Sequence, residues 1–92
     1  MTPTTRFAPQ HTGDVVSGHV VEVSSTTSEY TSDLIPVVTL DTDSGPVTVE
    51  GFHISLRSEL QRVSVGQHAA VTYTGRRHAT GRVRHSYRVT TV

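Results

Sequence analysis

From Asp14 to Val92 the apolar residues fall in five separate strand-like runs that alternate over part or all of their length, and the spacing changes only once, between Ile54 and Val63, to that of a helix. Alternation with period two is the mark of a strand with one buried face. The first run, Asp14–Ser24, holds Val15, Val16, Val20, Val21 and Val23, with Gly18 inside it. Val16 and Val20 share one parity, Val21 and Val23 the other. A glycine inside such a run marks a bulge or a sharp bend, so a long coiled strand serving both sides of a small barrel is expected. The second run is Leu34–Thr42, where Val38 and Leu40 alternate with Thr39 and Asp41; Pro36, which cannot donate to a ladder, belongs near its start or on an edge. Asp43-Ser44-Gly45 is a hairpin turn, and Pro46–Phe52 is the third strand. Leu56, Leu60 and Val63 then recur at helical spacing, with Ser55 as the expected N-cap. His68–Thr74 and Arg82–Val92 are the fourth and fifth strands, joined by a turn over Gly75–Gly81.

Ninety-two residues make one small domain, which buries roughly 60–65% of its unfolded surface. With no cysteine, neither disulfides nor thiolate-bound zinc can hold it together, and the apolar core must do so alone. The order β-β-β-α-β-β excludes a parallel βαβ fold and a seven-stranded sandwich, and SH3-like barrels usually lack the helix. The expected fold is therefore all-β with one short helix, a five-stranded OB-fold barrel over residues 14–92. Residues 1–13 are expected to form a flexible N-terminal tail, with Phe7 placed to tuck against the barrel.

No run approaches the roughly 20 apolar residues of a membrane span, and the N-terminus lacks the pattern of a signal peptide, so the expected compartment is the cytoplasm and no membrane contact is expected. Ser, His and acidic residues are too numerous for any one trio to single itself out, and no nucleophile-elbow motif is present. The six histidines, 11, 19, 53, 68, 78 and 85, show no zinc or iron spacing. Asp41-Thr42-Asp43-Ser44-Gly45 lacks the terminal glutamate and flanking helices of a calcium loop. No enzyme activity, metal or cofactor is expected.

Charge is divided unevenly along the chain. Residues 1–56 hold Arg6 against seven acids, a net of −6, whereas residues 57–92 hold seven arginines against Glu59, a net of +6. In the last strand Val83, His85, Tyr87 and Val89 alternate with Arg82, Arg84, Ser86, Arg88 and Thr90, so period two gathers three arginines on one side. Arg76 and Arg77 precede them in the expected turn. Arginine grips phosphate bidentately and stacks on bases, and in an OB barrel this loop frames the binding groove. The alternative reading is a solvated edge kept soluble by its charges. Tyr73 and Tyr87 share parity with core valines and read as core, His85 as a hydrogen-bonded core or rim residue, and Phe52 as core or groove. Tyr30, between the first two strands, is the best candidate for stacking on a base.

The runs Val47-Thr48-Val49-Glu50-Gly51-Phe52-His53, Leu56-Arg57-Ser58-Glu59-Leu60, Val65-Gly66-Gln67, Val71-Thr72-Tyr73-Thr74-Gly75-Arg76-Arg77 and Tyr87-Arg88-Val89 together resemble a group of small OB-fold proteins of actinobacteria and their phages and plasmids. The resemblance covers about residues 14–92 and implies the OB fold; several members of that group are presumed to bind single-stranded DNA. The expected function is a non-catalytic module that binds single-stranded DNA through Arg76, Arg77, Arg82, Arg84 and Arg88, with Tyr30 stacking. The rival expectation is a protein-interaction module, a phage or plasmid accessory factor whose acidic and basic halves meet in a homo-oligomer.

Overall fold

The computed structural model describes residues 5–27, 33–79 and 81–92, and all their side chains except those of 54, 77–79 and 82–84. Six strands and one helix follow in the order β1 (Thr5–Arg6), β2 (Val15–Thr27), β3 (Leu34–Thr42), β4 (Gly45–Glu50), α1 (Ile54–Leu60), β5 (His68–Ala79) and β6 (Arg82–Thr91). They form one sheet, ordered β1-β4-β3-β2-β5-β6, curled into a half-barrel.

The curl originates in β2. Its first five residues, Val15–His19, pair antiparallel with Thr72–His68 of β5, and its second part, His19–Thr27, pairs with Asp41–Leu34 of β3. Gly18 sits where the two pairings meet. A Cβ built there would lie 2.3 Å from the Asp41 carbonyl oxygen and 2.8 Å from its carbon, so only glycine lets β3 come this close to the bend. A register shift between Val20 and Glu22 completes the turn of the strand, as bulges do by adding local twist.

β3 and β4 form the expected hairpin. Thr42 is opposite Gly45, which takes φ 111°, and Thr42 Oγ1 donates to the Gly45 carbonyl (2.6 Å) while accepting from Ser44 N (3.2 Å). Pro36 lies beyond the end of β4, where β3 has a strand neighbour on one side only, and its carbonyl accepts from Gly51 N (2.9 Å). Inside the curl, Val20, Val38, Leu40, Val49, Ala69 and Val71 from four strands meet Leu56, Leu60 and Val63 from the helix and the turn after it. The helical stripe read from the sequence is thus the plug of the core. Ser55, however, does not cap the helix. His53 occupies the N-cap position in extended conformation and makes no side-chain cap bond, while Ser55 Oγ donates to the His85 carbonyl of β6 (2.8 Å).

Two features depart from a five-stranded barrel. β4 and β6 are not neighbours in the sheet. α1 packs between β3 and β6, and the outer edge of β4 pairs instead with β1, a parallel strand absent from the sequence reading (Thr5 with Val47, Arg6 with Thr48). Residues 5–13 therefore run along the structure, with Phe7 packed on the core, Phe7 N donating to the Thr48 carbonyl and Gly13 N to the Tyr73 carbonyl, each at 2.8 Å. The second departure is the expected turn over Gly75–Gly81. Arg76, Arg77 and His78 belong to β5, which pairs with β6 as far as Ala79 opposite Arg82; the glycine needed for a tight reversal is Gly81 (φ 77°), and Gly75 serves a bulge instead.

Replacing Gly18 with alanine forces β2 away from Asp41 and is expected to cost about 1–3 kcal/mol, as overpacking does. Thermal unfolding should show this as a drop of roughly 4–8 °C per kcal/mol for a domain of this size. An unchanged melting temperature would show that the close approach does not constrain the curl.

Candidate nucleic-acid interface

The open side of the half-barrel, between β4 and β6, gathers Phe52, His53, Tyr73, His85 and Tyr87 around one cavity. Gly51 is buried against Pro36 and Leu60, and the Arg57 side chain donates back to the carbonyls of Gly51 (3.2 Å) and Phe52 (3.5 Å). This clamps the short connection from β4 to α1 and leaves Phe52 projecting, 48% exposed. Because the His53 side chain caps nothing, its ring is free to join the cleft. It stacks on Tyr87 (centroids 5.6 Å apart, 27° between planes) and approaches His85 (4.8 Å). Tyr73 lies opposite Tyr87 in the ladder, with ring centroids 5.3 Å apart, and its hydroxyl is 2.7 Å from His85 Nδ1.

These rings line two adjoining cavities. One, about 240 Å³, is bounded by residues 6–9, Glu50, Phe52, His53, Tyr73, His85 and Tyr87 among others. The other, about 560 Å³, is bounded by Pro9, Gln10, Thr12, Tyr73, Arg76 and His85. Burial, and secondarily the neighbouring His85, hold the His53 imidazole below its ordinary value of 6.5. Burial and Tyr73 push the Tyr87 hydroxyl up, so at neutral pH both side chains are uncharged. Glu50 is paired with Arg6 (Nε to Oε1 3.0 Å).

The arginines expected at the site are redistributed by one extra residue. Tyr73 is opposite Tyr87, but Gly75 is opposite Ser86. Thr74 is bulged out, helped by the positive φ of Gly75 (112°). Beyond the bulge Arg76 is opposite His85 and joins the aromatic face, where it lines the larger cavity. Arg77 is opposite Arg84, Arg82 is opposite Ala79, and Arg88, exposed, is opposite Thr72. Thus Arg76 is separated from Arg88 across the sheet, and of these two arginines Arg76 is the one that lines the cleft. Tyr30 lies outside the described residues. Tyr73 is buried and Tyr87 half-buried against the core, as their parity suggests, and His85 is the hydrogen-bonded rim residue expected of it. The sequence reading placed Phe7 against the barrel but missed the contribution of His53 and Arg6. The recurrence of rings at 52–53, 73, 85 and 87 was the available signal, but it is spread over three elements.

Glu50 is the acid that lines this region, and Asp41 and Asp43 lie apart from it. Asp41 is opposite His19, which is opposite His68 at the start of β5, and these residues with Asp43 line a separate hollow. Arg76 lies eight residues further along β5, roughly 26 Å at the rise of an extended strand and well beyond the ~8 Å screening length of physiological salt. Among the described residues Arg76 and Arg88 form no ion pair, and no group of three His, Cys, Asp or Glu side chains is placed to hold a metal. No helix of the described residues is long and apolar enough to cross a membrane. Compared with known protein families, with curated proteins and with solved structures, the chain matches none.

Because His53 has a lowered pKa in the folded state, the unfolded chain binds a proton that the folded one resists as pH falls below 6.5. Its contribution to stability is intact above that value and is lost as pH falls towards the folded pKa. Melting temperature should therefore decline on acidification across this window, and His53→Gln should flatten that decline. An identical decline in the variant would place the proton uptake elsewhere.

Proposed function

We propose that the protein binds single-stranded DNA in the cleft on the open side of its half-barrel. The observation that carries this reading is the ring cluster of His53, Tyr87 and His85 over buried Tyr73, with exposed Phe52 lining the same cavity and Arg76 the adjoining one. Unpaired bases stack on such rings irrespective of sequence, and a guanidinium beside them suits the backbone phosphate. The cleft is concave, and the guanidinium of Arg76 at its edge supplies positive charge beside the rings.

The proposed fold relation is an OB barrel left open. β2 pairs with both β3 and β5, β4 follows β3, β6 follows β5, and the helix stands between β4 and β5 in the chain, which supports an OB-like arrangement in which α1 and residues 5–9 fill the gap between β4 and β6. The relation to actinobacterial, phage or plasmid proteins and a cytoplasmic setting belong to the same proposal and rest on the sequence resemblance. A second reading, a protein-interaction module, is favoured by exposed Val15, Val21, Val23 and Leu34 on β2 and β3 and by the opposed charges of the two halves, which suit a second copy.

Fluorescence anisotropy with labelled oligo-dT, titrated at several salt concentrations, tests the first reading. Each phosphate contact contributes about −0.7 to the log–log salt slope on single strands, so Arg76→Ala should flatten the slope by about that amount. Phe52→Ala should weaken binding by about 1–3 kcal/mol, the range of a lost base stack, with little change in slope. Absence of binding even at about 50 mM salt, where the electrostatic contribution is strong, would leave the protein-partner reading in its place.

A further inference from the structure

We infer that residues Thr5–Thr12 are a displaceable strap lying in the place of the ligand, so that the cleft is self-covered at rest and opens as one trough; this rests on the nucleic-acid reading above. The two cavities share Pro9, Tyr73 and His85. What divides them is the strap itself, whose Arg6–Pro9 stretch borders the smaller and whose Pro9–Thr12 stretch borders the larger. With the strap lifted, Phe52, His53, Tyr87, Tyr73, His85 and Arg76 would line a single trough in place of two separate, partly open hollows.

The attachments of the strap are uneven in a way that suits release. At its far end it is held by two residues of parallel pairing, by Phe7 against the core, and by the Arg6–Glu50 ion pair, in which the arginine is 70% exposed; such a pair is screened by salt and holds weakly. At its near end the attachment is dense. The Asp14 carboxylate accepts from Gln10 N (2.9 Å) and His11 N (3.0 Å), and these two bonds hold it below the usual carboxylate range. Gly13 N donates to the Tyr73 carbonyl and Tyr73 N to the Asp14 carbonyl. Gly13, at φ 97° with open space around its Cα, is thus a pivot fixed to β5. Glu50 sets the resting state: lifting Arg6 uncovers its carboxylate inside the trough, which a polyanion meets unfavourably, so only a ligand with enough further contacts displaces the strap.

The register supplies a direct test. Thr5 and Val47 are Cα partners on adjacent strands, whose spacing of about 4.7–4.9 Å falls inside the range a disulfide spans, and the chain has no other cysteine to interfere. In the full chain carrying Thr5→Cys and Val47→Cys, the oxidised form should bind oligo-dT at least tenfold more weakly than the same protein after reduction. Glu50→Gln in the otherwise native chain should bind severalfold more tightly than the native protein. Equal affinity of oxidised and reduced forms, with binding intact, overturns the strap and leaves the nucleic-acid reading standing. If the native chain binds no oligonucleotide, both fall together.

Discussion

The architecture depends on the contact between Gly18 and the Asp41 carbonyl. A sheet of this size with ordinary twist would stay open and shallow, and neither face could bury its valines fully. By letting β3 approach the bend of β2 without an intervening Cβ, Gly18 allows one strand to belong to both halves of the sheet. The concave face that results is small enough for three apolar residues of a seven-residue helix and its following turn to fill. Leu56, Leu60 and Val63 then complete the core of a chain that has no cysteine for a disulfide, and the same curvature brings β4 and β6 near enough for their side chains to share a cleft.

That the curl stops short of closure has a second effect. A closed barrel satisfies its strand edges by pairing them; here the edges are dealt with separately. On β4 a two-residue parallel strand is added from outside the main fold, and on β6 a helix hydroxyl, Ser55, takes the carbonyl of His85. Arginines recur along the remainder of β6, the usual defence of an edge against pairing with another chain. An arginine stripe read from sequence therefore fits edge protection and ligand binding equally well, although the arginine that lines the cleft, Arg76, belongs to β5.

Much of the fold was legible because period two and period 3.6 are local properties. The β3 boundaries, the hairpin at Asp43-Ser44-Gly45, the helix and the role of Gly18 all follow from residues within a few positions of each other. The candidate site was less legible. Its geometry depends on Thr74, a residue with no mark of its own, whose exclusion from the ladder moves Arg76 onto the ring-bearing face and parts it from Arg88. The turn expected over Gly75–Gly81 was misplaced because Gly75, Arg76 and Arg77 look like loop residues by composition, whereas pairing with β6 makes them strand. Likewise Ser55 carries a capping signature, but a long-range partner in β6 claimed its hydroxyl. In each case a contact distant in sequence overrode a local preference, and no local pattern announces such a contact.

The separation of Asp41 and Asp43 from the β5–β6 hairpin gives a protein of zero net charge a considerable electric dipole. Molecules of this kind turn in an external field before they touch anything. A charged body approaching such a protein would turn it before contact, which favours one orientation of encounter over others. Zero net charge therefore does not make the protein electrostatically inert; it converts uniform attraction into alignment, an effect that fades with the Debye length as salt is added.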